Sequence, residues 1–296
     1  MIVNKHGSFY LRSGWGTKII YAVSKDAFIF APNNEQNAVD ELGLGRVMIK
    51  ALRYWSDVMG LTTETKENGF IKKEPVNPSF ELIKSYDPYF QLIGTLYLMH
   101  RNIALDKENA TAWYWAFNEF KNQSFSKDEF VDGLHSYLAV NGLNIKRDAV
   151  EKEFNCFKNT YLGESNFDKR TIMDEDTYPF LAPLNMLRIN DEKKFEKVFH
   201  NTHEVPLPIL LYSIAQDNKD ESQTGKQISI DKLLEEEKQV GKYFSIKYQK
   251  LIEQLIRADN LKLIELSNNF GNRHIEFTDY PYETLFEKYL KHEELT

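Results

Sequence analysis

Hydrophobic and polar positions along the chain change period twice in the same order. Between residues 46 and 59, apolar side chains recur at helical spacing. At about 100° per residue, Met48, Leu52, Trp55 and Met59 fall on one face. Arg46, Lys50 and Arg53 fall on the opposite face, with Asp57 below them. A shorter helix is predicted over residues 35–44, after the breaker cluster Ala31-Pro32-Asn33-Asn34, and Gly60 is a stop signal for the longer one. The pattern then suits strands. Residues 61–65 are threonine-rich, Asn68-Gly69 is a strong hairpin signal, residues 70–73 return, and Pro75 ends the run. Helix, turn, helix and two-stranded ribbon is the order of a winged helix.

Near the other end the order returns with unrelated residues. Ser229 is placed to cap a helix over residues 230–237, Gly241 sits in a turn, and a second helix is predicted from about 245 to 258. On it Tyr248, Leu251, Ile252 and Leu255 share an apolar side, with Lys247, Lys250, Gln254 and Arg257 roughly opposite. A strand over 261–266, a turn over 268–272, a return strand over 273–277 and a helix over 282–289 follow.

Residues 86–215 read as helical. Ser126 and Glu129 form a capping box ahead of a helix over 129–140, and another helix is predicted over 148–160. Polar breaks lie at 173–179 and 206–208, and residues 216–227 read as a loop. No short fixed repeat argues for a solenoid. The expected class is mainly α with small β-hairpin wings. Winged-helix-like domains at 1–80 and 216–296 are joined by a helical middle domain at 81–215.

Composition narrows the functions such a scaffold can serve. The 296 residues are 42% hydrophobic and 14% aromatic, enough for sizeable cores and about two domains. With 37 basic and 44 acidic side chains the net charge is -7, so contact with nucleic acid has to use local patches. The lone Cys156 excludes an internal disulfide and suits a reducing compartment. No apolar run approaches the roughly 20 residues that span a bilayer, and the first residues lack the apolar stretch of a signal peptide. A cytoplasmic protein without membrane contact is expected.

The cationic faces carry the functional expectation. A helix lying in the major groove presents its outer side chains to phosphates and base edges. Arg46 and Arg53 have the bidentate geometry for guanine, Lys50 stands between them, and Lys66, Lys72 and Lys73 in the ribbon suit phosphates. Lys247, Lys250 and Arg257, with Lys262 and Arg273 in the second ribbon, offer a second contact. Solvated helix faces carry such cations too, and folds of this kind also bind proteins.

Other chemistry is thinner. Asp174, Glu175 and Asp176 are a carboxylate trio that a metal-dependent nuclease would use, although adjacent loop carboxylates are usually solvated. His200 and His203 lack a clear third ligand. Cys156, between Phe154 and Phe157, reads as a buried thiol rather than a sulfur-transfer nucleophile. His100 reads as a hydrogen-bonded structural histidine, and Trp15, Trp55, Trp113 and Trp115 as core or interface anchors. No phosphate-binding glycine loop or nucleophile elbow is present. Neither catalytic residues nor a cofactor are expected.

Several motifs together resemble a bacterial family of unknown function, domain of unknown function 4007. They are Gly7-Ser8-Phe9-Tyr10-Leu11-Arg12-Ser13-Gly14-Trp15-Gly16-Thr17-Lys18, then Glu41-Leu42-Gly43-Leu44-Gly45-Arg46-Val47-Met48 and Arg53-Tyr54-Trp55. Asp87-Pro88-Tyr89, residues 95–100, Trp113 through Asn118, Lys146-Arg147-Asp148 and Thr160-Tyr161 continue the match, with Gly271-Asn272-Arg273 a looser part. Arg46 departs from the asparagine common at that place. The resemblance implies an accessory or DNA-recognition subunit encoded in anti-phage or DNA-modification clusters, some beside phosphorothioation genes. Double-stranded DNA and proteins of the same cluster are the implied partners. The alternative is a scaffold that docks a partner ATPase, nuclease or sulfurtransferase without binding DNA.

Overall fold

The two-residue turn at Asn68-Gly69 organises the first sheet. Both residues take positive φ (51° and 83°), as a tight primed hairpin turn requires. The turn fixes the antiparallel register of β1 (Thr62–Glu67) and β2 (Phe70–Pro75), with Glu64 facing Lys73. This computed structural model describes residues 1–163, 177–199, 205–221, 225–269 and 272–295. They divide into two units, Met1–Ala116 with Phe120–Lys197, and Phe117–Glu119 with Val198–Thr296.

In the first unit, α1 (Trp15–Lys25), α2 (Glu35–Leu42) and α3 (Arg46–Val58) precede the hairpin. Gly60 ends α3 in the left-handed region (φ 70°). A Cβ there would meet the Asn102 amide nitrogen at 2.5 Å, and that amide donates to the Met59 carbonyl (2.9 Å). Next come α4 (Ser79–Tyr86), α5 (Ile93–Leu105) and α6 (Thr111–Tyr114), the last running into a π-turn at Trp115–Glu119. Then follow β3 (Ser124–Phe125), α7 (Lys127–Val140), α8 (Arg147–Tyr161), β4 (Leu187–Ile189) and β5 (Phe195–Lys197). The capping box at α7 is present, with both the Ser126 and Glu129 side chains bonded to backbone N–H groups.

The aromatic residues build this core. Trp15, Trp55, Trp113 and Trp115 are all buried, and Trp55 meets Trp113 edge to face at 5.3 Å. His6 lies among Tyr54, Trp55 and Trp113, and its Nε2 hydrogen-bonds buried Glu153 (3.0 Å) while Nδ1 accepts the Ser8 N–H (3.1 Å). His100 bonds the Tyr161 hydroxyl at 2.8 Å, the structural role expected of it. Cys156 is buried, and burial, with Glu153 nearby, pushes its thiol pKa well up, so it is not a reactive thiolate.

The second unit holds α9 (Leu207–Asp217), β6 (Gln227–Ser229), α10 (Ile230–Glu235), α11 (Val240–Tyr243) and α12 (Tyr248–Asn260). After them come β7 (Ile264–Asn269), β8 (Asn272–Phe277) and α13 (Leu285–Leu290). Ser229 caps α10 by accepting the Lys232 N–H at 3.1 Å.

The expectation of a mainly α protein with two winged-helix-like domains is corrected. The protein is mixed α/β, 52% helical with 13% strand, the strands forming three small sheets among the described residues, and winged-helix domains are not confirmed at either end. One sheet runs β3-β5-β4 inside the stretch read as wholly helical, and β6 adds a third strand beside β8 in the order β6-β8-β7. These added strands have two or three residues each, too few for alternation to show.

Candidate nucleic-acid interface

Helix α3 is preceded by the N-cap Gly45, whose extended backbone (ψ 155°) turns the chain into the helix. Ile49, Leu52, Trp55 and Val58 are buried, whereas Met48, expected on that face, is only half-buried. Arg46 and Lys50 project into solvent, with side chains 66% and 71% exposed. One carboxylate stands near both. Glu35, at the start of α2, lies 3.8 Å from Arg46 Nε and 3.5 Å from Lys50 Nζ. Arg46 also donates to the Gln36 side chain (3.2 Å).

Arg53 is held differently. Its guanidinium grips Glu64 of β1 in a bidentate pair, Nε at 2.8 Å and Nη2 at 2.6 Å. Lys73, expected to reach phosphate, has a wholly buried side chain instead. Its ammonium donates to Asp57 (2.5 Å) and the Arg53 carbonyl (3.3 Å) and lies 3.1 Å from Glu64. A buried ammonium between two carboxylates is fixed in place by the cost of stripping its water, so it is structural here. The Arg53 hydrogen bonds, with Lys73 adding attraction, lower the Glu64 carboxyl pKa to about 2. Lys66 is exposed, and Lys72 pairs with Glu67 (2.6 Å) and Glu74 (3.7 Å).

A cavity of about 310 Å³ opens beside the row, lined by Phe30, Ala31, Pro32, Glu35, Ile49, Lys50 and Arg53. Neither the cavity nor the two acids framing the row was foreseen in the sequence. A second groove of about 430 Å³ lies between α1 and the α4 end, among Tyr21, Lys25, Lys84, Pro88 and Tyr89.

The cations expected in the second unit are more engaged. Lys250 pairs with Glu253 of its own helix (2.7 Å) and Arg257 donates to Gln254 (3.3 Å). Lys247 sits over the Phe199 ring (5.3 Å) and Arg273 over Tyr248 (6.0 Å). Tyr248 is therefore an exposed platform rather than the core residue expected, and Gln254 is buried instead. Lys262 is exposed at the turn after α12.

Asp174, Glu175, Asp176, His200 and His203 lie outside the described residues. Among the described residues no group of three His, Cys, Asp or Glu side chains is placed to hold a metal ion. No helix among them is long and apolar enough to cross a membrane.

Fold and surface thus define a two-unit mixed α/β protein with two exposed cations, Arg46 and Lys50, on one helix of the first unit. The chain belongs to the family described as "Protein of unknown function (DUF4007)", whose model matches residues 3–293. No curated protein matches the sequence. Two solved structures, "SspB crystal structure" and "Magnesium ion-bound SspB crystal structure", are similar to it with TM-scores of 0.84. Each is 19% identical, over 98% of this chain and 87% of the other, so the likeness is one of fold.

Proposed function

We propose that this chain is a DNA-binding accessory or recognition subunit of a bacterial anti-phage defence or DNA-modification system, acting in the cytoplasm beside proteins of the same gene cluster. The observation that carries the reading is the open pair Arg46 and Lys50, beside which Glu35 is the one close carboxylate among the described residues and stays beyond tight hydrogen-bonding distance. In a chain of net charge -7, such a local patch is what contact with a phosphate backbone needs. Arg46, in the first turn of α3, would make a base or phosphate contact. Lys66 at the hairpin tip would add a backbone contact, and Arg53, already gripped by Glu64, would position the row. Lys247, Lys250, Arg257, Lys262 and Arg273 form the weaker candidate surface.

A duplex titration over a salt series tests this. Affinity should fall steeply with salt, by about 0.9 in log slope for each phosphate neutralised. Salt-insensitive binding, or none, ends the reading.

The scaffold alternative is favoured by a different observation. Around the α1–α4 groove the cations are matched by acids, Lys25 with Glu41 and Lys84 with Glu81, while Tyr21 and Tyr89 stand out at 51% and 70% exposure. Exposed tyrosines in a charge-balanced groove suit a protein partner such as an ATPase, nuclease or sulfurtransferase. Co-purification of a complex that has no DNA affinity would favour that reading.

A further inference from the structure

The cavity beside α3 combines two features. Its floor is apolar. Phe30, Ala31 and Ile49 are each buried to 5% exposure or less yet border the space, and Pro32 forms part of the wall. Its rim is charged, with Lys50 and Arg53 on one side and Glu35 on the other. At about 310 Å³ it lies at the lower end of small-molecule sites.

The carboxylates around it fall into two kinds. Glu64 and Asp57 hold Arg53 and Lys73 at 2.5 to 2.8 Å, distances of full charge-assisted hydrogen bonds. Glu35 reaches Arg46 and Lys50 only at 3.8 and 3.5 Å. Four cations (Arg46, Lys50, Arg53 and Lys73) therefore face three carboxylates (Glu35, Asp57 and Glu64), and the least tightly held acid stands between the two most exposed cations. An occupant that displaces Glu35 must be anionic. One that also covers the apolar floor must carry a flat apolar group on the same small unit.

The geometry points to a single unstacked nucleotide of a DNA strand as that occupant. Its base lies on the floor of Phe30, Ala31 and Ile49 against the Pro32 wall, and its phosphate takes the place of the Glu35 carboxylate between Arg46 and Lys50. This deepens the DNA-binding reading and rests on it. Glu35 then acts as a built-in stand-in for phosphate, covering the cations until a strand arrives. A nucleotide that is already unpaired binds better than one inside a duplex, because pulling a base from the stack costs free energy that the unpaired base does not require.

The test uses the full chain and two fluorescein-labelled duplexes that differ by one unpaired nucleotide at the centre, followed by anisotropy. The bulged duplex should bind about tenfold tighter or more. Glu35→Gln, at the half-buried start of α2, should tighten binding to the bulged duplex several-fold, on the order of one displaced surface charge pair. Ala31→Leu, which extends into the cavity, should erase the preference for the bulge while leaving matched-duplex affinity in place. Equal affinity for both duplexes overturns the pocket while the DNA-binding reading stands. Loss of all binding overturns both. Should Ala31→Leu fail to fold, Glu35→Gln decides alone, since unchanged bulge affinity in that variant removes the stand-in role.

Discussion

Two helices, α3 in the first unit and α12 in the second, carry nearly the same pattern in sequence: apolar residues on one side and three cations on the other. The surfaces they make differ. On α3, Arg46 and Lys50 stand open to solvent, Lys50 at the rim of the cavity, and Arg53 is gripped by an acid from a neighbouring strand. On α12 and its flanks, Lys250 and Arg257 bond residues of their own helix, Lys247 and Arg273 lie over aromatic rings, and Lys262 is exposed. A row of lysines and arginines therefore says little until the partners supplied by other elements are known. The interiors differ too. Among the described residues the buried charged side chains Lys73, Asp87, Glu153 and Lys197 all belong to the first unit, and buried polar groups of the second are neutral.

The largest expected effect follows from that last contrast. Asp57→Ala leaves the buried Lys73 ammonium with Glu64 as its remaining carboxylate, and should lower unfolding free energy by about 3–5 kcal/mol. Urea denaturation reads it directly. A loss below about 1 kcal/mol would mean that water reaches Lys73 and that the two units are built more alike than their burial indicates.

Next in size is the effect on binding. Arg46→Glu with Lys50→Glu should weaken duplex affinity more than tenfold and reduce the salt slope by about 2. The matching pair on α12, Lys250→Glu with Arg257→Glu, should do less. Equal losses from both pairs would erase the comparison, and a larger loss from α12 would reverse it.

How much of this was legible varies residue by residue. With Asn68-Gly69 as a two-residue turn, register alone brings Glu64 opposite Lys73, so their pairing was available to pattern reading. What hid its consequence is depth, because the consecutive charges Lys72-Lys73-Glu74 give no sign that one lysine points inward under α3. Glu35 and the floor of Phe30 and Ala31 were out of reach, since they come from the loop after α1 and the start of α2. Tyr248 misled because its ring counts as apolar in a helical pattern yet serves here as a platform for Arg273. The family resemblance, by contrast, was carried by dense local motifs and holds along nearly the whole chain.

Acid titration sharpens the contrast in a smaller way. The folded pKa of Glu64, about 2, lies below its ordinary 4.5, so between those values the unfolded chain binds more protons than the native one. The stabilisation is complete above pH 4.5 and is lost as pH falls through about 2. Thermal melts of the wild type should show a fall in Tm across that window that is shallower in Glu64→Gln. An identical slope in both proteins would mean that the Arg53–Glu64 pair does not persist in solution.

The smallest effect is expected where α12 meets solvent. Lys250→Ala removes an i,i+3 pair whose partners are both partly exposed, and Tyr248→Leu removes the ring beneath Arg273. Exposed ion pairs and exposed cation–π contacts contribute about 0.2–1 kcal/mol each, so neither change should move unfolding free energy beyond about 1 kcal/mol. The two should add, because the contacts share no residue and each is local. A double variant that loses far more than the sum would show that the α12 cations and their rings form one coupled surface. That surface would then resemble the Arg53–Glu64–Lys73–Asp57 cluster beneath α3, and the division between an open, strongly anchored helix and a self-paired one would fail.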